Sequence, residues 1–243
     1  SKLVSEANAL GNRRQVEKVF RIGLTTFLVF GAVSFAVMFF FADGLAGLMN
    51  DPLAAPAIRV LAPAVICVCG LSAFRGYAQG HGRMTPTAVS QIIEAACKLV
   101  IGLALALYLV KAGRENSAAA AGAIVGVTIG TVLALAFMVI DFLRNKANEP
   151  MGKRSDKAEG TKTVFARLMT LAIPITISSS MVSIITLVDS SIVQGRLQNA
   201  LGMTLEQSRD LFSSYSGVMT VYALPSAFMI ALTASIIPAV SAC

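Results

Sequence analysis

Hydrophobic residues run along this chain in stretches of about twenty, the length a helix needs to cross a bilayer core roughly 30 Å thick, with short polar or basic segments between them. The pattern predicts six spans, at residues 20–41, 58–75, 86–110, 118–140, 164–190 and 217–238. Proline modifies three of them. Pro63 and Pro174 predict a bend or break in the second and fifth spans, and Pro86, behind Thr85 as N-cap, predicts the start of the third. In the fourth span Ala118, Gly122, Gly126 and Gly130 recur every four residues on one face, a small-xxx-small stripe that lets helices approach closely.

The polar segments set the organisation. Residues 1–19 read as a solvated helix or turn, and residues 42–57, with Asp43 and Asp51 and no basic residue, read as an interfacial linker. Residues 141–163 carry many charges of both signs and few hydrophobics, so they predict a linker dividing a four-span part, 1–140, from a two-span part, 164–243. In the loop expected at 191–216, Thr204-x-x-Gln207 is a capping-box pattern that opens a short helix.

Composition turns this pattern into a class. With 56% hydrophobic and 14% charged residues and a mean hydropathy of +0.73, the chain is an all-α, polytopic membrane helix bundle rather than a soluble domain. A net charge of +7 suggests nucleic acid for a soluble chain, but here it follows topology. Of the 20 Lys and Arg residues, 14 fall on one side of the predicted spans, in 1–21, 75–86 and 141–167. Positive loops stay in the cytoplasm, so the N-terminus, the 75–86 turn and the linker are expected there, and no nucleic-acid partner is called for. The four cysteines are scattered at Cys67, Cys69, Cys97 and Cys243 and predict neither disulfide nor metal site. No phosphate-binding glycine loop, zinc-hydrolase or serine-hydrolase motif occurs, so no cofactor and no enzymatic chemistry are expected. The chain starts without Met and stops beside an apolar run, as expected for a piece of a longer polypeptide.

Candidate chemistry concentrates in RGYAQGHGRMTPTAVSQIIEAACK, residues 75–98. Its first part reads as a basic, glycine-rich cytoplasmic turn holding Arg75, His81 and Arg83. Its second part is a helix on which Thr87, Gln91, Glu94 and Lys98 fall on one stripe. Thirteen residues separate Thr85 from Lys98, about 20 Å of helix, which carries Lys98 past mid-bilayer. Ionisable residues at that depth are costly and commonly functional. Two readings stay open: Glu94 and Lys98 neutralise each other and hold helices together, or they line a hydrophilic cavity where Lys98 attracts an anion and Glu94 takes a proton. Arg75 and Arg83 are either topology markers or phosphate contacts. Asp189, near the outer end of its helix, is either an interfacial cap or an ion or proton site.

The segments SKLVSEANALGN, LAPAVICVCGLSAFRGYAQGHGRMTPTAVSQIIE and LPSAFMIALTASIIPAVSA resemble the polysaccharide-biosynthesis or stage V sporulation protein B family, related to the MurJ lipid II flippases and the MATE drug exporters. The resemblance implies helices three to eight of a larger two-halved bundle. It also implies a flippase of the bacterial inner membrane that moves an undecaprenyl-pyrophosphate-linked saccharide by alternating access. Its partners would be that lipid-linked saccharide, the bilayer and cell-wall synthesis enzymes. Gln91, Glu94, Lys98, Arg75 and Arg83 would then contact substrate, with Glu94 and Asp189 as candidate ion or proton sites. Cation-coupled drug export and a structural scaffold are the alternatives.

Overall fold

The computed structural model describes residues 1–48, 54–113, 116–148, 160–199, 202, 204–226 and 229, and all regular structure among them is helical. The helices are α1 (Lys2–Ala9), α2 (Arg13–Phe40), α3 (Ala42–Leu48), α4 (Ala55–Gly80), α5 (Thr85–Cys97), a π-helical turn (Lys98–Gly102), α6 (Leu103–Lys111), α7 (Asn116–Asn148), α8 (Thr161–Asn199) and α9 (Leu205–Tyr222). Among the described residues five segments are long and apolar enough to cross a membrane: α2, α4, α5 through α6, α7 and α8. They coincide with the first five predicted spans. Half of the sixth, 217–238, lies outside the described residues.

Two ends are built alike. After α1, Gly11 at φ 68° donates to Asn8 O while Asn12 N donates to Ala7 O. After α4, Gly82 at φ 72° donates to Gln79 O while Arg83 N donates to Ala78 O. Each is a Schellman stop, which needs a left-handed residue and takes glycine for it. Asn12 then caps α2 by accepting from Gln15 N at 3.0 Å, so that helix starts seven residues before the predicted apolar span. At the start of α5 the N-cap is Met84, not Thr85, and no side chain caps it. Pro86 has no N–H and so needs no acceptor in the first turn, and the helix begins without a side-chain cap.

Neither internal proline breaks its helix: α4 continues through Pro63 and α8 through Pro174. Pro63 deprives the Arg59 carbonyl of its donor, and in the same turn Thr128 Oγ1 of α7 donates to Val60 O at 3.2 Å. A neighbouring helix thus partners backbone polarity that lipid cannot. The predicted interfacial linker is partly the short helix α3, held to α4 by a 2.6 Å Arg59–Asp43 pair. The polar segment after the fourth span is less irregular than its composition suggests, because α7 extends to Asn148 and α8 begins at Thr161.

The chain forms two compact units, residues 1–180 and 181–243. In the first, α4 and α7 are central: α4 packs on α7 and α2, and α7 also carries α5, the π turn and α6. Near the C-terminal end of α4, Phe20, Phe74, Tyr77 and Phe142 bring α2, α4 and α7 together with ring centroids 4.8–5.4 Å apart. Helix α1 lies against that end, with Val4 and Ala7 buried beside Tyr77 and Val164. A Cβ on Gly80 would stand 2.5 Å from Val4, so this contact depends on glycine. In the second unit, Thr204 and Gln207 make the reciprocal capping box that opens α9. That helix continues to Tyr222, so most of the loop expected at 191–216 is helical.

Three positions of the small-residue stripe, Gly122, Gly126 and Gly130, form an interface as predicted, and the side chain of the fourth, Ala118, lies outside those described. A Cβ on Gly130 would meet Cys97 Cβ and Glu94 O at 3.0 Å, one on Gly122 would meet Leu109, and one on Gly126 would fall on the backbone of Gly102. Together these glycines seat α5, the π turn and α6 on α7.

Arg83 and Asp141 close one end of this interface: Arg83 Nη2 donates to both carboxylate oxygens, at 2.9 and 2.7 Å. Asn145 Nδ2 adds a third hydrogen bond, at 3.0 Å. A charged hydrogen bond contributes about 1.5–3 kcal/mol. Arg83→Ala is expected to lower stability by about 1.5 kcal/mol, read as a thermal-unfolding shift in detergent; an unchanged midpoint would show that the α4–α5 turn is held by packing alone.

Candidate functional site

Arg75 sits five residues before the end of α4, inside the helix rather than in the turn that the sequence suggested. Gly76 and Gly80 are helical too. From there its guanidinium crosses to α5, where Nε donates to Ser90 Oγ at 2.8 Å and Nη2 donates to Glu94 Oε2 at 3.0 Å. Ser90 in turn donates to Thr87 O at 2.7 Å. The other carboxylate oxygen, Glu94 Oε1, is 2.9 Å from Lys98 Nζ. One carboxylate is therefore shared by two cations from successive spans.

Local structure explains the geometry. Ser90 and Glu94 occupy one face of α5, and Gly130 lets that helix lie close on α7. At Lys98 the helix loosens into the π turn, which ends at Gly102 where the backbone abuts Gly126. Wider turns of this kind recur at functional sites. Burial is graded: the side chains of Glu94 and Arg75 are 16% and 18% exposed, whereas Lys98 is 43% exposed. Two positive charges against one negative leave the cluster formally cationic. Such a site suits an anion, and Lys98 is its accessible edge.

Arg75 also borders a second feature, a cavity of about 500 Å³ between α1, α2, α4 and the first half of α8. Leu24, Phe27, Leu168 and Ala172 give it apolar walls, and Gln79 and Arg75 are among its polar groups.

The remaining predicted residues are placed elsewhere. Gln91 is exposed on the flank of α5, outside the cluster. Arg83 is engaged by Asp141. In the second unit Asp189 is exposed and accepts from Tyr215 Oη at 3.2 Å, a contact between α8 and α9. Ser90, fully buried, is the member that the sequence did not single out. Its signal was the spacing Thr87, Ser90, Glu94, which follows the inward face better than the stripe through Gln91.

A family model described as "Polysaccharide biosynthesis protein" matches residues 1–243. Among curated proteins, the Stage V sporulation protein B of Bacillus subtilis (strain 168) is 26% identical over 99% of this chain and 46% of its own length. From the same organism, the uncharacterized membrane protein YabM is 26% identical over 92% of this chain and 42% of its own. Lipid II flippase MurJ is 32% identical over 46% of this chain and 22% of its own. The chain thus spans just under half the length of the first two relatives, and no solved structure matches it. With a family match over its whole length and five apolar helices of spanning length, the chain belongs to the polysaccharide biosynthesis protein family and is a multi-pass membrane protein.

Proposed function

We propose that this chain is part of a bacterial inner-membrane flippase that moves a saccharide carried on a polyprenyl diphosphate across the bilayer. The observation that carries the reading is the cluster of Arg75, Glu94 and Lys98 within apolar spans. A net cationic group at that depth attracts the one part of such a lipid that is itself expensive in hydrocarbon, its diphosphate. The name of one relative, a lipid II flippase, supports this substrate class. Arg75 offers a planar, multi-donor contact and Lys98 a mobile point charge. Transport rather than catalysis is the activity.

The excess of basic residues around 1–21, 75–86 and 141–167 supports a cytoplasmic N-terminus. Residues 1–140 would form four helices of the first half-bundle and residues 164–243 would begin the second, with 141–163 joining them. Rocking of such halves about a midplane site gives alternating access. Export of organic cations is the weaker reading, because Glu94, the carboxylate within the cluster, is already held by two cations.

In a strain depleted of its own flippase, the full-length protein carrying Lys98→Ala is expected to support no growth while remaining at normal levels in the membrane. Full growth would remove Lys98 from the transport path and sink the assignment.

A further inference from the structure

We propose that Glu94 is a resident anion which the substrate's diphosphate displaces, and that displacement is accompanied by uptake of one proton on Glu94. The inference rests on the flippase reading above and deepens it.

Occupancy is the first step. The ligand-facing groups of Arg75 and Lys98 are not vacant: each holds one oxygen of the same carboxylate, at 3.0 and 2.9 Å. An incoming phosphate is drawn to the same two cations, so the carboxylate and the phosphate compete for their charge. Lys98, the more exposed cation, is the one a ligand meets first, and Arg75 keeps Ser90 as a second partner when it lets go of Glu94.

Charge is the second step. The cluster carries two cations and one carboxylate. A diphosphate linked at both ends, to a prenyl chain and to a sugar, brings two negative charges and no group that titrates between about pH 5 and 8. If Glu94 stayed ionised, the loaded site would hold an unpaired, largely buried carboxylate beside two phosphates. Burial and like charge both favour its neutral form. A single proton from water, added to the freed carboxylate, makes the loaded site neutral.

The surroundings contain little else to take that proton. Facing Glu94 are Arg75 from α4, and Ser90 and Lys98 from its own helix; the face of α7 packed against α5 there presents Gly130. Asp141 of α7 is bound to Arg83, which precedes Glu94 by eleven residues, about 16 Å of helix. His81, at the end of α4, stacks on Tyr77 with ring centroids 4.3 Å apart.

The test is calorimetric titration of the full-length protein in nanodiscs with a short-chain prenyl diphosphate linked to one N-acetylhexosamine. Running it at one pH in buffers of different ionisation enthalpy counts protons. Wild type is expected to take up close to one proton per ligand at pH 7.5 and to bind up to about tenfold more weakly for each pH unit raised. Glu94→Gln is expected to bind more tightly, with no proton taken up and a flat pH profile, while His81→Asn keeps the wild-type count. Binding by wild type without proton uptake overturns the exchange and leaves the flippase reading in place. Failure of wild type and Glu94→Gln alike to bind overturns both. The wild-type proton count decides the matter even if a variant does not fold.

Discussion

Replacing Arg75 with Met is expected to abolish growth in the flippase-depletion assay and to lower stability by about 3 kcal/mol, the low end for removing one partner of a buried ion pair. The low end applies because Lys98 still holds Glu94. The informative comparison is with the double variant Arg75→Met/Glu94→Gln. Removing both charges from a buried pair is often nearly neutral for stability, so the double variant should regain most of the lost thermal stability. If the cluster receives a diphosphate, growth stays absent; if the charges only hold α4 against α5, growth returns with stability. Arg75→Lys separates the cases further, because an ammonium cannot span Ser90 and Glu94 as the guanidinium fork does. It is expected to give folded protein with poor growth.

The second large effect concerns packing. Gly126→Val is expected to deplete folded protein from the membrane, because any Cβ there falls on the backbone of Gly102, which has no flexible end to move aside. Overpacking by a few carbons costs about 1–3 kcal/mol where neighbours can adjust, and here the neighbour is main chain. Gly126→Ala should already show a lowered thermal midpoint. Gly44→Ala, with open space around an added Cβ, should leave the midpoint unchanged. Equal tolerance at 126 and 44 would mean that α7 and the π turn are not in close contact in the membrane.

The spans, the small-residue stripe and the start of α9 were readable because they depend on short-range chemistry. Twenty apolar residues, a small residue every fourth position, and Thr204 three residues before Gln207 each specify local geometry without distant partners. The site was half readable. Glu94 and Lys98 share a helix, so their i, i+4 pairing follows from periodicity. Arg75 was misplaced because Gly76 and Gly80 looked like loop punctuation. In a membrane helix glycine more often marks a close neighbour, here Ser1 at 3.4 Å from an added Cβ on Gly76 and Val4 at 2.5 Å from one on Gly80. Gly82 was the usable clue: taken as the left-handed stop, it ends the helix at Gly80 and leaves Arg75 more than a turn inside. The partnership of Arg83 with Asp141, 58 positions apart, depends on tertiary packing that no local pattern encodes.

The π turn between Lys98 and Gly102 changes how this segment should be compared with others. A wider turn accommodates one more residue than an α-helical turn of the same rise, so it is equivalent to a single-residue insertion in a uniform helix. Beyond it, Leu103–Lys111 presents faces offset by about 100° from those a continuous 3.6-residue period would give. A relative whose helix is regular here should therefore align with a one-residue gap near position 100. Without that gap, residues on the two sides of the turn would be matched to neighbours from the wrong face.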